Sequence, residues 1–136
     1  MRTLIVEDEF TSRKLLQSLL APYGHCDIAV DGKEAIEAFR LAWKENHPYD
    51  LICLDIMLPK MDGQEALNEI RRLEAERGIH GLSRVKIIMV TALGDSENIM
   101  KAFKGQCEAY LVKPIYKEKL LKEIRPLGLL EQEPDR

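Results

Sequence analysis

Five short apolar runs constrain this chain more than any other feature: residues 3–6, 26–30, 51–54, 85–90 and 109–112. They are rich in Ile, Val and Leu and do not alternate with polar residues. A strand with one wet face alternates; a strand covered on both faces does not, and parallel sheets are built from the second kind. The runs therefore predict a parallel sheet with helices on each side.

The stretches between the runs carry helical spacing. Phe10, Leu15, Leu16, Leu19 and Leu20 form one stripe, stopped by Pro22 and Gly24. Ile36, Phe39 and Trp43 follow Asp31, a fitting N-cap, and Ala66, Leu67, Ile70 and Leu73 run toward Gly78. Ile99, Met100 and Phe103 form a fourth stripe, and Leu120, Leu121, Ile124 and Leu127 a fifth. All are read as core-facing. Five strand–helix repeats predict a three-layer, doubly wound (βα)5 fold with right-handed crossovers. The 136 residues suit one domain, with a polar, frayed tail over 131–136.

Composition narrows the function. Twenty basic against 23 acidic residues leave a net charge of −3, which gives no electrostatic reason for nucleic acid or an anionic membrane as partner. No stretch approaches the ~18 apolar residues of a membrane span, and the N-terminus lacks the apolar core of a signal peptide. A cytoplasmic location is expected. Cys26, Cys53 and Cys107 stand singly and read as small hydrophobes, and the three histidines show no metal-ligand spacing.

The polar residues that end the runs are the informative ones. In LICLDIMLPKMDG, four apolar residues lead straight into Asp55. Glu7 and Asp8 follow the first strand, Thr91 closes the fourth and Lys113 the fifth. Each alone has an ordinary structural explanation: a helix start, a turn cap, a solvated lysine. Together they fall where open α/β sheets carry their ligands, beyond the carboxyl ends of the strands. Converging carboxylates ~4 Å apart repel by about 4 kcal/mol at an effective dielectric near 20. A hard divalent cation relieves this, and Mg²⁺, with its oxygen ligands and retained waters, suits so small a protein donor set. With Lys113 and the Thr91 hydroxyl nearby, Asp55 reads as a nucleophile that becomes an aspartyl phosphate.

LIVED, LDIMLPKMDG, IIMVTA and YLVKP, in this order and spacing, resemble the receiver domains of two-component response regulators, chemotaxis-regulator-like and stand-alone. The resemblance covers roughly residues 2–125, within an expected domain of 1–127 followed by a tail of 128–136. It implies a flavodoxin-like sheet of order 2-1-3-4-5. It implies Mg²⁺ held by Glu7, Asp8, Asp55 and the backbone carbonyl of Met57. Asp55 would accept a phosphoryl group from a sensor histidine kinase or histidine phosphotransfer protein, with Lys113 paired to it. Thr91 would be the switch hydroxyl and Tyr110 the aromatic that moves with it, altering the face of the fourth helix, fifth strand and fifth helix for a protein target. The Lys113–Pro114 bond is expected to be cis. The implied role is signalling rather than turnover of a substrate.

Departures from the family pattern are visible. Glu7 stands where Asp is commoner, Gln106 where glycine is usual, and Ile115 where Phe is frequent. The link over 78–84 is long and reads as a solvent loop. Met57 and Leu93, two residues after Asp55 and Thr91, are apolar, so neither can activate an attacking water; a long-lived phosphoryl state follows. Two rivals share the topology. A haloacid-dehalogenase-type phosphohydrolase would want an acid at Met57, and an FMN binder a hydroxyl- and glycine-rich loop where Glu7-Asp8-Glu9 stand.

Overall fold

A computed structural model describes residues 1–92 and 106–130. The strands are β1 (Thr3–Val6), β2 (Cys26–Ala29), β3 (Leu51–Asp55), β4 (Lys86–Thr91) and β5 (Ala109–Val112). All pairings are parallel, in the order β2-β1-β3-β4-β5. The described helices are α1 (Phe10–Leu20), α2 (Gly32–Lys44), α3 (Gly63–Glu76) and, after β5, α4 (Lys117–Ile124). The fourth stripe of the sequence and the segment 131–136 lie outside the described residues.

The unbroken apolar runs are explained by two cores. Leu4, Val6, Ile52, Leu54, Ile87 and Met89 face α2 and α3, where Phe39, Leu67 and Ile70 meet them. Ile5, Leu51, Cys53, Ile88 and Val90 face α1 and α4, against Leu16, Leu20, Leu120 and Ile124. Successive strand residues point to opposite faces, so a strand with a core on each side needs apolar residues at every position. Each such Leu or Ile contributes roughly 1.5–3 kcal/mol by its removal from water.

Side-chain caps set where the helices begin. Asp31 accepts from the Glu34 N–H at 2.8 Å and Asp62 from the Glu65 N–H at 2.9 Å. Glu9 accepts from the Thr11 and Ser12 N–H groups at 3.1 Å each. An aspartate cap, as at Asp31 and Asp62, contributes about 1 kcal/mol. Helix α4 is shorter than its stripe, because Pro126 turns the chain into a 3-10 segment, Arg125–Leu127, that holds Leu127.

The first stripe requires a correction. Only Leu16 and Leu20 of α1 are buried, with Leu19 half-buried, while Phe10 is 62% and Leu15 39% exposed. Phe10 opens the helix ahead of the turn that meets the sheet, and at 100° per residue Leu15 stands beside, not on, the Leu16–Leu20 line. The Phe10 ring instead meets basic side chains, the Arg13 guanidinium at 5.5 Å and the Lys14 ammonium at 6.0 Å from its centroid.

Two polar networks brace the amino ends of the strands. Asp27 accepts from Tyr49 Oη at 2.7 Å and Arg2 Nη2 at 3.2 Å, and its other oxygen meets His25 Nε2 at 2.7 Å. Arg71 spans α3, β4 and β5. Its guanidinium donates to Glu74 at 2.7 Å, the Val85 carbonyl at 2.9 Å, Glu108 at 3.0 Å and the Gln106 carbonyl at 2.7 Å. Glu74 and Glu108 in turn accept from the Val85 and Ile87 N–H groups, each at 2.7 Å. Gln106, where the family usually has glycine, is thus held by its carbonyl. The 78–84 link is the solvent loop expected: Gly78 and Gly81 take φ of 72° and 58°, and Leu82 is 93% exposed.

Candidate phosphoacceptor and metal site

Asp55 ends β3 at the carboxyl edge of the sheet and is 5% exposed. Strands β1 and β4 flank β3, so the residues after Val6 and at Thr91 rise beside it without any choice by the loops. Both Asp55 oxygens are engaged: Oδ1 accepts from the Met57 N–H at 3.0 Å, and Oδ2 from Lys113 Nζ at 3.1 Å. Lys113 leaves the end of β5, where its N–H bonds to the Thr91 carbonyl at 2.8 Å, and the following bond to Pro114 is cis.

Glu7 is 1% exposed, whereas Asp8 beside it is exposed. Lys113 Nζ lies 2.8 Å from Glu7 Oε1, an ion-pair contact without good hydrogen-bond alignment. Glu7, Asp8 and Asp55 each offer a carboxylate oxygen, and these oxygens lie within 4.8 Å of one another. Burial, reinforced by the nearness of Asp55 and opposed by Lys113, pushes the Glu7 carboxyl up to about 7. Burial alone would lower the Lys113 ammonium, but its contacts with Glu7 and Asp55 outweigh this and leave it raised. Among the described residues Lys113 is the one ammonium in contact with this acidic cluster, through Glu7 and Asp55, and an excess of negative charge remains. A divalent cation fits that remainder in charge and, with an all-oxygen donor set, in chemistry.

The other expected residues fall nearby in the fold. Thr91 is buried at the end of β4, its hydroxyl 3.5 Å from the Ala92 carbonyl, a weak contact that leaves it able to turn. Tyr110 is half-buried in β5 against the α2/α3 core. The Met57 side chain is 74% exposed. Leu93 lies outside the described residues.

The family model of the response regulator receiver domain matches residues 3–125. The chain belongs to this family. Among its relatives, the receiver is 36% identical over 124 residues to the chemotaxis protein CheY of Halobacterium salinarum, covering 90% of this chain and 92% of that one. It is 35% identical over 127 residues to the probable transcriptional regulator ycf27 of Cyanophora paradoxa, covering 93% of this chain. The receiver spans about half the length of such regulators, 47% and 44% of two ycf27 proteins and 54% of a ycf29 protein. Among solved structures it is similar to the receiver domain of the histidine kinase CKI1 from Arabidopsis thaliana, complexed with Mg²⁺ and BeF₃⁻. The TM-score is 0.76 at 26% identity, over 93% of this chain and 89% of that one. The flavodoxin-like receiver fold and its 2-1-3-4-5 sheet are thereby established.

Sequence reasoning missed Arg71 and Glu74, which brace the amino ends of the strands, and Gly32 and Lys60, which lie where α2 meets the loop that follows Asp55. Arg71 and Glu74 carried a signal, since they continue the Leu67 and Ile70 stripe at i+4 and so place charge on a buried face. Gly32 and Lys60 carried none that spacing could reveal.

Proposed function

We propose that this receiver is a phosphorylation-dependent signalling switch in which Asp55 accepts a phosphoryl group. One observation carries the reading: Glu7, Asp8 and Asp55 share a 4.8 Å cluster with the Lys113 ammonium 3.1 Å from Asp55. The donor is a sensor histidine kinase or a histidine phosphotransfer protein. An Asp55 carboxylate oxygen attacks phosphorus as the P–N bond to the donor imidazole breaks, and the bonding pair leaves with the nitrogen. Lys113 stays beside the transferring oxygens and offsets their charge. Glu7, Asp8, Asp55 and the Met57 carbonyl would hold Mg²⁺, which when bound supplies further positive charge to the phosphoryl oxygens. The CKI1 receiver's complex with Mg²⁺ and BeF₃⁻ supports this choice of ion. A groove of about 400 Å³ lined by Thr11, Ser12, Leu15, Lys113, Pro114 and Ile115 leaves room for the donor's approach.

Once Asp55 carries added charge and acceptor oxygens, the Thr91 hydroxyl gains a stronger partner than the Ala92 carbonyl at 3.5 Å. Its inward turn frees space for Tyr110. The face built from the fourth apolar stripe, β5 and α4 shifts toward the state that binds a separate protein target. The unit is the span 1–127, located in the cytoplasm, and with apolar Met57 beside the site its phosphoryl state is long-lived.

The test is treatment with acetyl phosphate and Mg²⁺, read by intact mass. The native chain should gain one phosphoryl unit, and Asp55→Asn or omission of Mg²⁺ should abolish the gain. An adduct that persists in Asp55→Asn would overturn the reading.

A further inference from the structure

The loop over 56–62, which joins the phosphoacceptor to α3, rests on the amino end of α2. A side-chain carbon at Gly32 would stand 2.3 Å from the Met61 carbonyl oxygen and 2.8 Å from Met61 Cβ. Real side-chain carbons do not approach so closely, so only glycine lets the two backbones meet there. Asp31, one residue earlier and 5% exposed, caps α2 through the Glu34 N–H and also lies 3.7 Å from Lys60 Nζ. Lys60 itself holds φ at 66°, a left-handed conformation that a lysine keeps only where its surroundings impose it.

The other end of the loop is equally tight. The Gly63 N–H bonds to the Ile56 carbonyl at 2.9 Å, and a side-chain carbon at Gly63 would stand 2.3 Å from the Asp55 carbonyl oxygen. Ile56, Leu58 and Met61 pack onto the α2/α3 core. The loop therefore has no slack of its own, and its height above the sheet is fixed by what it rests on.

We propose that Gly32 and the Asp31–Lys60 pair form a seat for the 56–62 loop, and that they are positioning residues for the metal and phosphoacceptor site. The significance to the site rests on the phosphoacceptor reading above; the seat itself is a statement about the chain alone. Asp55 immediately precedes the seated segment and Met57 lies within it. A loop lifted off α2 carries the Met57 carbonyl and the Met57 N–H away from Asp55. Donor sets of this kind lose about tenfold in metal affinity when a supporting contact is removed.

The experiment is a Mg²⁺ titration of the ¹⁵N-labelled full chain, comparing native, Gly32→Ala and Lys60→Met by amide resonances. Without metal, Gly32→Ala should displace the Met57, Met61 and Gly63 amides. With metal, it should raise the Mg²⁺ concentration at half-saturation about tenfold. Lys60→Met should act in the same direction more weakly. Lys60 has a side chain 73% exposed, so this variant keeps the packing and carries the test if Gly32→Ala does not fold. Shifts confined to α2, or a displaced loop with unchanged Mg²⁺ affinity, would overturn the proposal. If the native chain takes up no Mg²⁺, the metal reading fails, while displacement of the loop amides still decides for or against the seat.

Discussion

Lys113 crosses from the end of β5 to Asp55 at the end of β3, 58 residues away in sequence, and meets its Oδ2 at 3.1 Å. The same ammonium touches Glu7 at 2.8 Å. A single positive charge thus serves two buried carboxylates, and the resting site is held together by a group it shares.

Removing that charge should unsettle the site. In Lys113→Met, Glu7 and Asp55 face each other without a counter-ion. We expect a loss of about 2 kcal/mol in the metal-free chain, below the usual cost for a buried pair because Lys113 is 29% exposed. Urea midpoints in EDTA would measure it. Mg²⁺ should stabilise the variant more than it stabilises the native chain, since the ion replaces the missing charge. Equal stabilisation of both would contradict the shared-charge picture.

Met57 should govern how long the phosphoryl group survives. Its exposed side chain offers water no hydrogen bond. Met57→Asn places an amide there and should speed loss of the phosphoryl group by about an order of magnitude, a fraction of what a well-placed general base supplies. Following the phosphorylated mass with time decides it, and an unchanged half-life would count against the proposed lifetime.

Acid should weaken the Asp27 network. Burial alone would raise the Asp27 carboxyl, but hydrogen bonds from Tyr49, His25 and Arg2 outweigh it and hold it below its ordinary value. A carboxyl depressed by folding adds stability above its unfolded pKa of about 3.9, and that stability is lost as pH falls through the folded value. Tyr49→Phe should therefore cost about 1 kcal/mol at neutral pH, with the difference shrinking below about pH 4. Denaturation curves at both pH values test the sign.

Neighbouring arginines on α3 should behave differently. Arg71 is 10% exposed and faces Glu74 at 2%. Arg71→Met removes the guanidinium beside buried Glu74, leaves Glu108 with Arg84 at 3.5 Å, and should cost about 3 kcal/mol. Arg72, half-exposed, pairs with Glu69 and Glu76 on the surface, and Arg72→Ala should melt close to the native temperature. Thermal melting of the two variants side by side would show whether burial sets the difference.

Much of this was legible in the residues. Leu51 to Leu54 announced a strand with two covered faces, and the abrupt Asp55 announced its carboxyl end. Asp31 marked the start of α2. Phe10 misled, because a ring at a helix start has the spacing of a core residue without being carried down to the sheet.

What the sequence determined by itself is local and periodic: which segments are strands, which are helices, and which polar side chains stand at strand ends. Those properties follow from alternation, from the 3.6-residue turn and from caps, all within a few residues of chain. The tertiary structure alone decided that Glu7 is buried while Asp8 is exposed, that one lysine answers two acids, and that Gly32 lies against Met61. Those outcomes depend on backbones brought together from distant parts of the chain, where a few tenths of an ångström of packing decide what fits, and no local spacing encodes such distances.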